Sequence, residues 1–356
     1  MRYSILLITL LLNANNSTLC KTCHPKIYSE YKESMHFKST LDRDKAHNAI
    51  WQKHPLKAKD KYKCAKCHDP KIENKVDSGV DCISCHAIKD VKEHAKANEN
   101  VYEKSAKTFY SKDVSRRDKK VTYHKESSFF GMFSSVTGSP YHDIDYRNSG
   151  YYNGKMCMGC HSHLQNGSGF MQCELPNSGA QNEEQNCITC HMPKVAGSAT
   201  TIKQTKTHAY HGFLGAYNKP NLLSKYIQLE IKKGKDNFSV VVTNSTPHPL
   251  FTQPLRVAKL LVSVKNKQNL EFNKSIEFVK ILGKDGKATS PALANSVIKD
   301  SMLKANQKRE ITFNYKPKEG DKISATLGYY AINPKVAKKL NLDEPKFVEL
   351  KSKIAY

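Results

Sequence analysis

Five copies of one short string constrain this chain more than any other feature. They read Cys20-Lys21-Thr22-Cys23-His24, Cys64-Ala65-Lys66-Cys67-His68, Cys82-Ile83-Ser84-Cys85-His86, Cys157-Met158-Gly159-Cys160-His161 and Cys187-Ile188-Thr189-Cys190-His191. In a chain with 11 cysteines and 15 histidines, five copies are no accident. The string C-x-x-C-H is the attachment signature of c-type haem. Two thiols with two residues between them each add to one vinyl group of a porphyrin, and the histidine that follows is placed on the iron. A C-x-x-C pair also serves as half of a zinc site or as a thioredoxin-like redox pair. Zinc needs the pairs combined into fours, and needs no histidine directly after every second cysteine. The string therefore assigns Cys20, Cys23, Cys64, Cys67, Cys82, Cys85, Cys157, Cys160, Cys187 and Cys190 to covalent attachment of five haem c groups. His24, His68, His86, His161 and His191 become the proximal iron ligands.

Residues 1–19 read as a leader. Arg2 precedes an apolar run at residues 5–12, and a polar stretch at residues 13–18 follows. A run of eight residues, all apolar but Thr9, is too short for the roughly 20 that span a bilayer, so a secretory signal peptide is expected, with an uncleaved anchor as the alternative. Haem is attached covalently to exported proteins outside the cytoplasm, so the periplasm is the expected compartment. An oxidising compartment ordinarily favours disulfides. Here haem takes ten thiols and leaves Cys173.

All the cysteines, and every histidine except His248, fall within residues 20–215. This composition break divides the chain into a pentahaem cytochrome domain at 20–215 and a second domain at 216–356. The first is expected to be α plus irregular, packed around five haems. It has too little chain for a separate core around each group, so the porphyrins themselves form much of the core. A hydrophobic content of 38% agrees with that. A helix is expected over residues 25–37, opening on Pro25. Strand-like runs at 226–231, 238–242, 257–264, 276–281, 310–315 and 322–329, with a hairpin turn at Asp285-Gly286, predict an all-β sandwich-like second domain. A short helix is expected over 334–340.

The haem region resembles multihaem c-type cytochromes of the group that includes the tetrahaem electron acceptor of hydroxylamine oxidoreductase, and its larger relatives. The resemblance is carried by Tyr31 and Ser34-Met35-His36 after the first motif, by Val80-Asp81 before the third, and by Met192-Pro193 after the fifth. Ser139-Pro140-Tyr141-His142, His211-Gly212-Phe213-Leu214-Gly215, Asn244 and His248-Pro249-Leu250-Phe251-Thr252 also have counterparts. In relatives the last segment reads H-x-L-P-T-G, and here Phe251 and Gln253 replace the proline and glycine. The resemblance implies His36, His142, His211 and His248 as distal iron ligands. His248 would make the β-domain cap a haem. His47, His54, His94 and His124 are weaker candidates, and His163 and His208 read as polar neighbours. Met35, Met132, Met156, Met158, Met171 and Met192 read as packing residues. Cys173 reads as a small buried residue, with a distal thiolate or a reactive sulfur as the alternatives.

Lys+Arg number 57 against 33 Asp+Glu, a net +24. Five haems bring about ten propionates, which take up part of that excess. The rest makes a positive surface that steers an acidic redox partner. A nucleic-acid partner is not expected of an exported haem protein. Two functions fit. One is electron transfer between a quinol-linked membrane donor and a terminal redox partner. The other is an oxidoreductase acting on nitrite, hydroxylamine, tetrathionate or sulfite at one open haem, its catalytic residues unassigned. No motif carries lysine for the proximal histidine, a substitution used by many pentahaem nitrite reductases, and the β-rich C-terminus departs from theirs. The number of five-coordinate irons discriminates between the two.

Overall fold

The computed structural model describes residues 16–70, 78–105, 107–127, 134–175, 182–251 and 253–356. Most of the leader, Met132, Thr252 and the side chain of Cys173 lie outside the described residues.

In the second half, alternation of apolar and polar residues dictates the sheets. Strand Val257–Asn266 buries Ala258, Leu260, Val262 and Val264 while exposing Leu261. Strand Asp321–Tyr330 pairs antiparallel with it, setting Leu260 opposite Leu327 and Val262 opposite Ala325. Asn269–Phe278 and Phe347–Ala355 complete a four-stranded sheet on either side of these two. Ile227–Lys233, Phe238–Asn244 and Lys308–Phe313 form a separate three-stranded antiparallel sheet. Phe238, Val240 and Val242 of this sheet join Leu260, Val262 and Leu327 of the other in one buried cluster. Each such side chain stabilises the fold by about 1.5–3 kcal/mol through burial.

Two strand expectations need correction. Residues 276–281 are not one strand. Asn269–Phe278 ends before the buried Val279, and Lys280–Lys284 begins a different sheet with Lys287–Ala288 and Ser296–Asp300. The Val279 N–H donates to Ser301 Oγ at 3.0 Å, which fixes the corner where the chain changes sheet. Strand Phe347–Ala355 was not expected. It is an edge strand carrying Lys351 and Lys353, and edge lysines dilute the alternation that signals a strand while blocking edge-to-edge pairing. The Asp285-Gly286 turn has positive φ at both residues, 51° and 74°, as a two-residue hairpin requires. The helix near the C-terminus spans Pro334–Lys339, with the Asn333 side chain accepting from Lys335 N.

Residues 16–215 contain helices of four to nine residues, as Asn16–Lys21, Pro25–Glu33 and Gly150–Asn153 illustrate. The expectation of helix plus irregular chain is incomplete here. Short ribbons interleave with the helices, including Ile88–Lys92 with Glu99–Tyr102, Lys194–Ala196 with Thr207–Ala209, and His163–Gln165 with Met171–Glu174. Three- to five-residue strands leave too short a pattern to read. The helix expected over 25–37 stops at Glu33. Ser34 turns extended, and its hydroxyl donates to Tyr31 O and accepts from Phe37 N. That turn aims His36 inward.

The two halves are stitched by direct hydrogen bonds. Asn166 Nδ2 donates to Pro291 O and Ala294 O. Lys53 Nζ donates to Lys339 O at 2.6 Å. Among the described residues no helix is long and apolar enough to cross a membrane. Leu260 has no exposed surface, so Leu260→Ala should lower unfolding stability by about 2–5 kcal/mol, read from the shift in chemical denaturation.

Candidate functional site

One helical turn brings residues i and i+3, and i and i+4, to one face. A C-x-x-C-H string wound as a helix therefore presents both thiols and the imidazole together. Cys82–His86 and Cys187–His191 are such single turns. Asp81 caps the first by accepting from Ser84 N at 2.7 Å. Asn186 caps the second in a reciprocal box with Thr189. In the fourth motif a Cβ at the spacer Gly159 would overlap the Asn100 side chain, which would have to move. Asn100 Nδ2 lies 3.4 Å from Cys160 Sγ.

Every motif histidine is set beside one other histidine. The ring centres lie 6.3 Å apart for His24 and His142, 5.9 Å for His161 and His36, 6.2 Å for His86 and His211, and 6.3 Å for His191 and His248. His68 and His47 are closer, at 4.1 Å. A metal ion held by an imidazole nitrogen on each side at about 2 Å keeps two ring centres about 6 Å apart. Four pairs have that separation. The fifth leaves no such gap.

Hydrogen bonds at the far ring nitrogen agree. The Nδ1 atoms of His24, His86, His191, His211 and His248 lie 2.6–3.0 Å from the carbonyls of Ala199, Tyr110, Leu214, Ala209 and Pro249. A carbonyl only accepts, so each Nδ1 carries the proton and each Nε2 keeps its lone pair for a metal. His47 is committed differently. Its Nδ1 lies 3.1 Å from a carbonyl, Ser39 O, as in the other five, but its Nε2 lies 3.2 Å from the Tyr62 hydroxyl and is engaged there.

Burial disfavours the charged form of seven of these rings. It pulls His36 down to about 3, with the neighbouring His161 adding to the effect. It pulls His68 and His211 down to about 4, and lowers His86, His161, His142 and His248 as well. Neutral imidazole is the form that ligates iron. The Nδ1 atoms of His36 and His142 and the Nε of Arg256 are buried with no hydrogen-bond partner. Orphaned polar atoms of this kind, beside facing lone pairs, fit a metal-bearing group with polar substituents. None of the ten motif cysteines forms a disulfide. Among the described residues no three His, Cys, Asp or Glu side chains converge as a zinc site would need.

The thiols also meet across motifs. Cys20 and Cys82 lie in hydrogen-bond range, as do Cys67 and Cys160, and Cys157 and Cys187. Cys85 lies close enough to Cys160 to raise its pKa. The first motif thus meets the third, and the fourth meets the second and the fifth, with Cys85 of the third nearby.

The four distal histidines implied by the family resemblance each face a different motif histidine, a pairing the sequence did not contain. His47 is a weaker candidate by sequence, and its place beside His68 has no local signal other than the neighbouring helix cap at Asp44. His94 and His124 are exposed beside Glu99 and Glu126. His54 accepts from Leu56 N, and His163 faces the His94 carbonyl. His208 is buried between Gly197 O and Glu30 Oε1. Met158 is buried in a small cluster with Ile88 and Val91, with Met156 packed against it. Phe251 has φ +60°, a value closed to proline, and its ring packs on Tyr329 at 5.5 Å. The loop after His248 therefore takes a path that the proline of relatives could not.

Comparison with known proteins agrees with this geometry. The family model of cytochrome c554 and c-prime matches residues 19–87, which hold the first three motifs. A penta-heme cytochrome c552 from Thermochromatium tepidum is similar in structure, with a TM-score of 0.73 and 22% sequence identity over 95% of this chain and 98% of that chain. The E. coli curli protein CsgC covers 29% of this chain and 82% of its own at 11% identity and a TM-score of 0.18, a likeness on which nothing rests. No curated protein matches the chain. The fold is that of a multihaem cytochrome, and covalently bound haem c is its implied cofactor.

The buried histidines give a pH prediction. Their folded values lie below the ordinary 6.5, so the unfolded chain binds more protons than the folded one as pH falls. Stability should be at its full value above about pH 6.5 and be lost progressively toward pH 3–4. Denaturation midpoints measured from pH 8 to 4 check this.

Proposed function

We propose that this chain is an exported electron-transfer protein carrying five haem c groups. The ten motif cysteines would hold them covalently, and His24, His68, His86, His161 and His191 would be their proximal ligands. His142, His211, His36 and His248 would fill the opposite positions of the first, third, fourth and fifth centres. The observation that carries this reading is the separation of 5.9–6.3 Å in four histidine pairs. When bound, the haems supply reversible one-electron chemistry. This chain's residues fix the imidazole orientation through the Nδ1 bonds and keep water from the buried rings. They also hold the motifs in contact. Contact of the fourth motif with the second and fifth makes it a junction, and the third motif, which meets the first, lies beside it. His248 brings the β-rich half onto the fifth centre. The leader expected at residues 1–19 supports a periplasmic place, and the +24 charge supports an acidic redox partner supplied from a quinol-linked donor.

A specific observation favours a second activity at one centre. His47 stands too close to His68, with its Nε2 engaged by the Tyr62 hydroxyl, to act as a distal ligand. The second centre would then keep an open position, where nitrite, hydroxylamine, tetrathionate or sulfite would bind.

Voltammetry of the holoprotein adsorbed on an electrode separates the two. Reversible waves unchanged by these substrates support a carrier, and a catalytic current that grows with one of them supports the enzyme. Replacing His211 by Ala should convert one low-spin haem to high-spin without loss of covalent haem, read from the visible and EPR spectra. Electron transfer to an acidic redox protein should slow as ionic strength rises, checked by stopped-flow mixing.

A further inference from the structure

We propose that Arg256 is the counter-ion of a haem propionate at the seam between the two halves of the chain. The inference rests on the haem reading above and concerns a residue that reading does not use. Arg256 stands just before strand Val257–Asn266, eight residues after His248. Its Nε is shut off from solvent and has no partner. Its guanidinium lies over the Tyr217 ring at 5.8 Å, with Tyr329 beside it. Burial pulls it below the ordinary arginine value.

The other described arginines all find acceptors. Arg43 donates to Phe37 O, Arg116 to Asp113, Arg117 to Glu183, Arg147 to Asp145, and Arg309 to Ser301 O and Met302 O. Arg256 alone, among the described arginines, has a buried guanidinium nitrogen without an acceptor; Arg309, which also lies over a ring, that of Phe278, has its carbonyls. The carboxylate that acts on Tyr217, Asp44, is already occupied in capping helix Lys45–Gln52 through Ala46 N and His47 N. An unpaired buried guanidinium is strongly destabilising, and its planar fork suits a carboxylate taken by two N–H groups.

The haem reading brings such carboxylates to this seam. His248 of the fifth centre lies on the same segment as Arg256. Helix Lys45–Gln52, which carries His47 beside the second centre, begins at Asp44. The propionate therefore belongs to the fifth or the second centre.

The test uses the full holoprotein with Arg256→Gln and Arg256→Lys, haem counted by the pyridine haemochrome assay and the five midpoints resolved by spectroelectrochemical titration at several pH values. In the glutamine variant one midpoint should fall while four hold, because loss of a positive charge disfavours the added electron. That same midpoint should gain a pH dependence between about pH 4 and 7, where a freed carboxylate takes up its proton. The lysine variant, which keeps the charge, should shift less. Five unchanged midpoints, or five that move together, overturn the proposal. If the glutamine variant matures without all its haem, the lysine variant carries the test. Its looser grip should give one midpoint a new pH dependence, and a profile identical to the parent's overturns the proposal. A parent protein with fewer than five haems would sink the haem reading itself, a result distinct from any of these.

Discussion

Two imidazoles facing each other across a gap the width of one metal ion are the arrangement on which residues 16–251 depend. The partners come from distant parts of the chain. His24 meets His142, and His86 meets His211. Such long-range pairs have no apolar core of their own to hold them. His24, His86 and His211 are fixed by Nδ1 bonds to backbone carbonyls, and these carbonyls belong to the short ribbons and turns between the motifs. The ribbons thus position the facing imidazoles, which explains why so many small sheets occur where helix and irregular chain were expected.

The second half has a different physical basis. Its sheets bury a continuous aliphatic cluster and need no cofactor to do so. It reaches the metal region through the segment from Asn244 to Arg256. Asn244 Nδ2 donates to both His248 O and Lys304 O, anchoring the histidine loop to the sheet edge. The left-handed Phe251 then folds its ring back onto Tyr329, which itself donates to Ala216 O. A stable β-domain can in this way hold one imidazole rigidly over a neighbouring centre.

Much of this was legible in the sequence, for identifiable reasons. The motif residues were legible because the chemistry demands one spacing, and a helical turn satisfies it. His36, His142, His211 and His248 were legible only through resemblance, since a lone histidine carries no periodic signal. Their pairing was not legible at all, because it is set by chain crossings that no local pattern encodes. The position of His47 was missed as it depends on the Asp44 cap and on Tyr62, which meet only in three dimensions. Arg256 was equally silent, and only its missing acceptor marks it. In the β-rich half, the strands with clean alternation were found, whereas the break at Val279 and the lysine-bearing edge strand were not.

The account stands on four centres with two histidines each and a fifth with His68 alone. Low-temperature EPR of the ferric holoprotein, calibrated by haem content per chain, tests that most directly. The account predicts five haems per chain, four of them low-spin and one high-spin. Fewer than five haems, or two or more high-spin irons, would contradict the facing-pair assignment, and five low-spin irons would contradict the open position at His68.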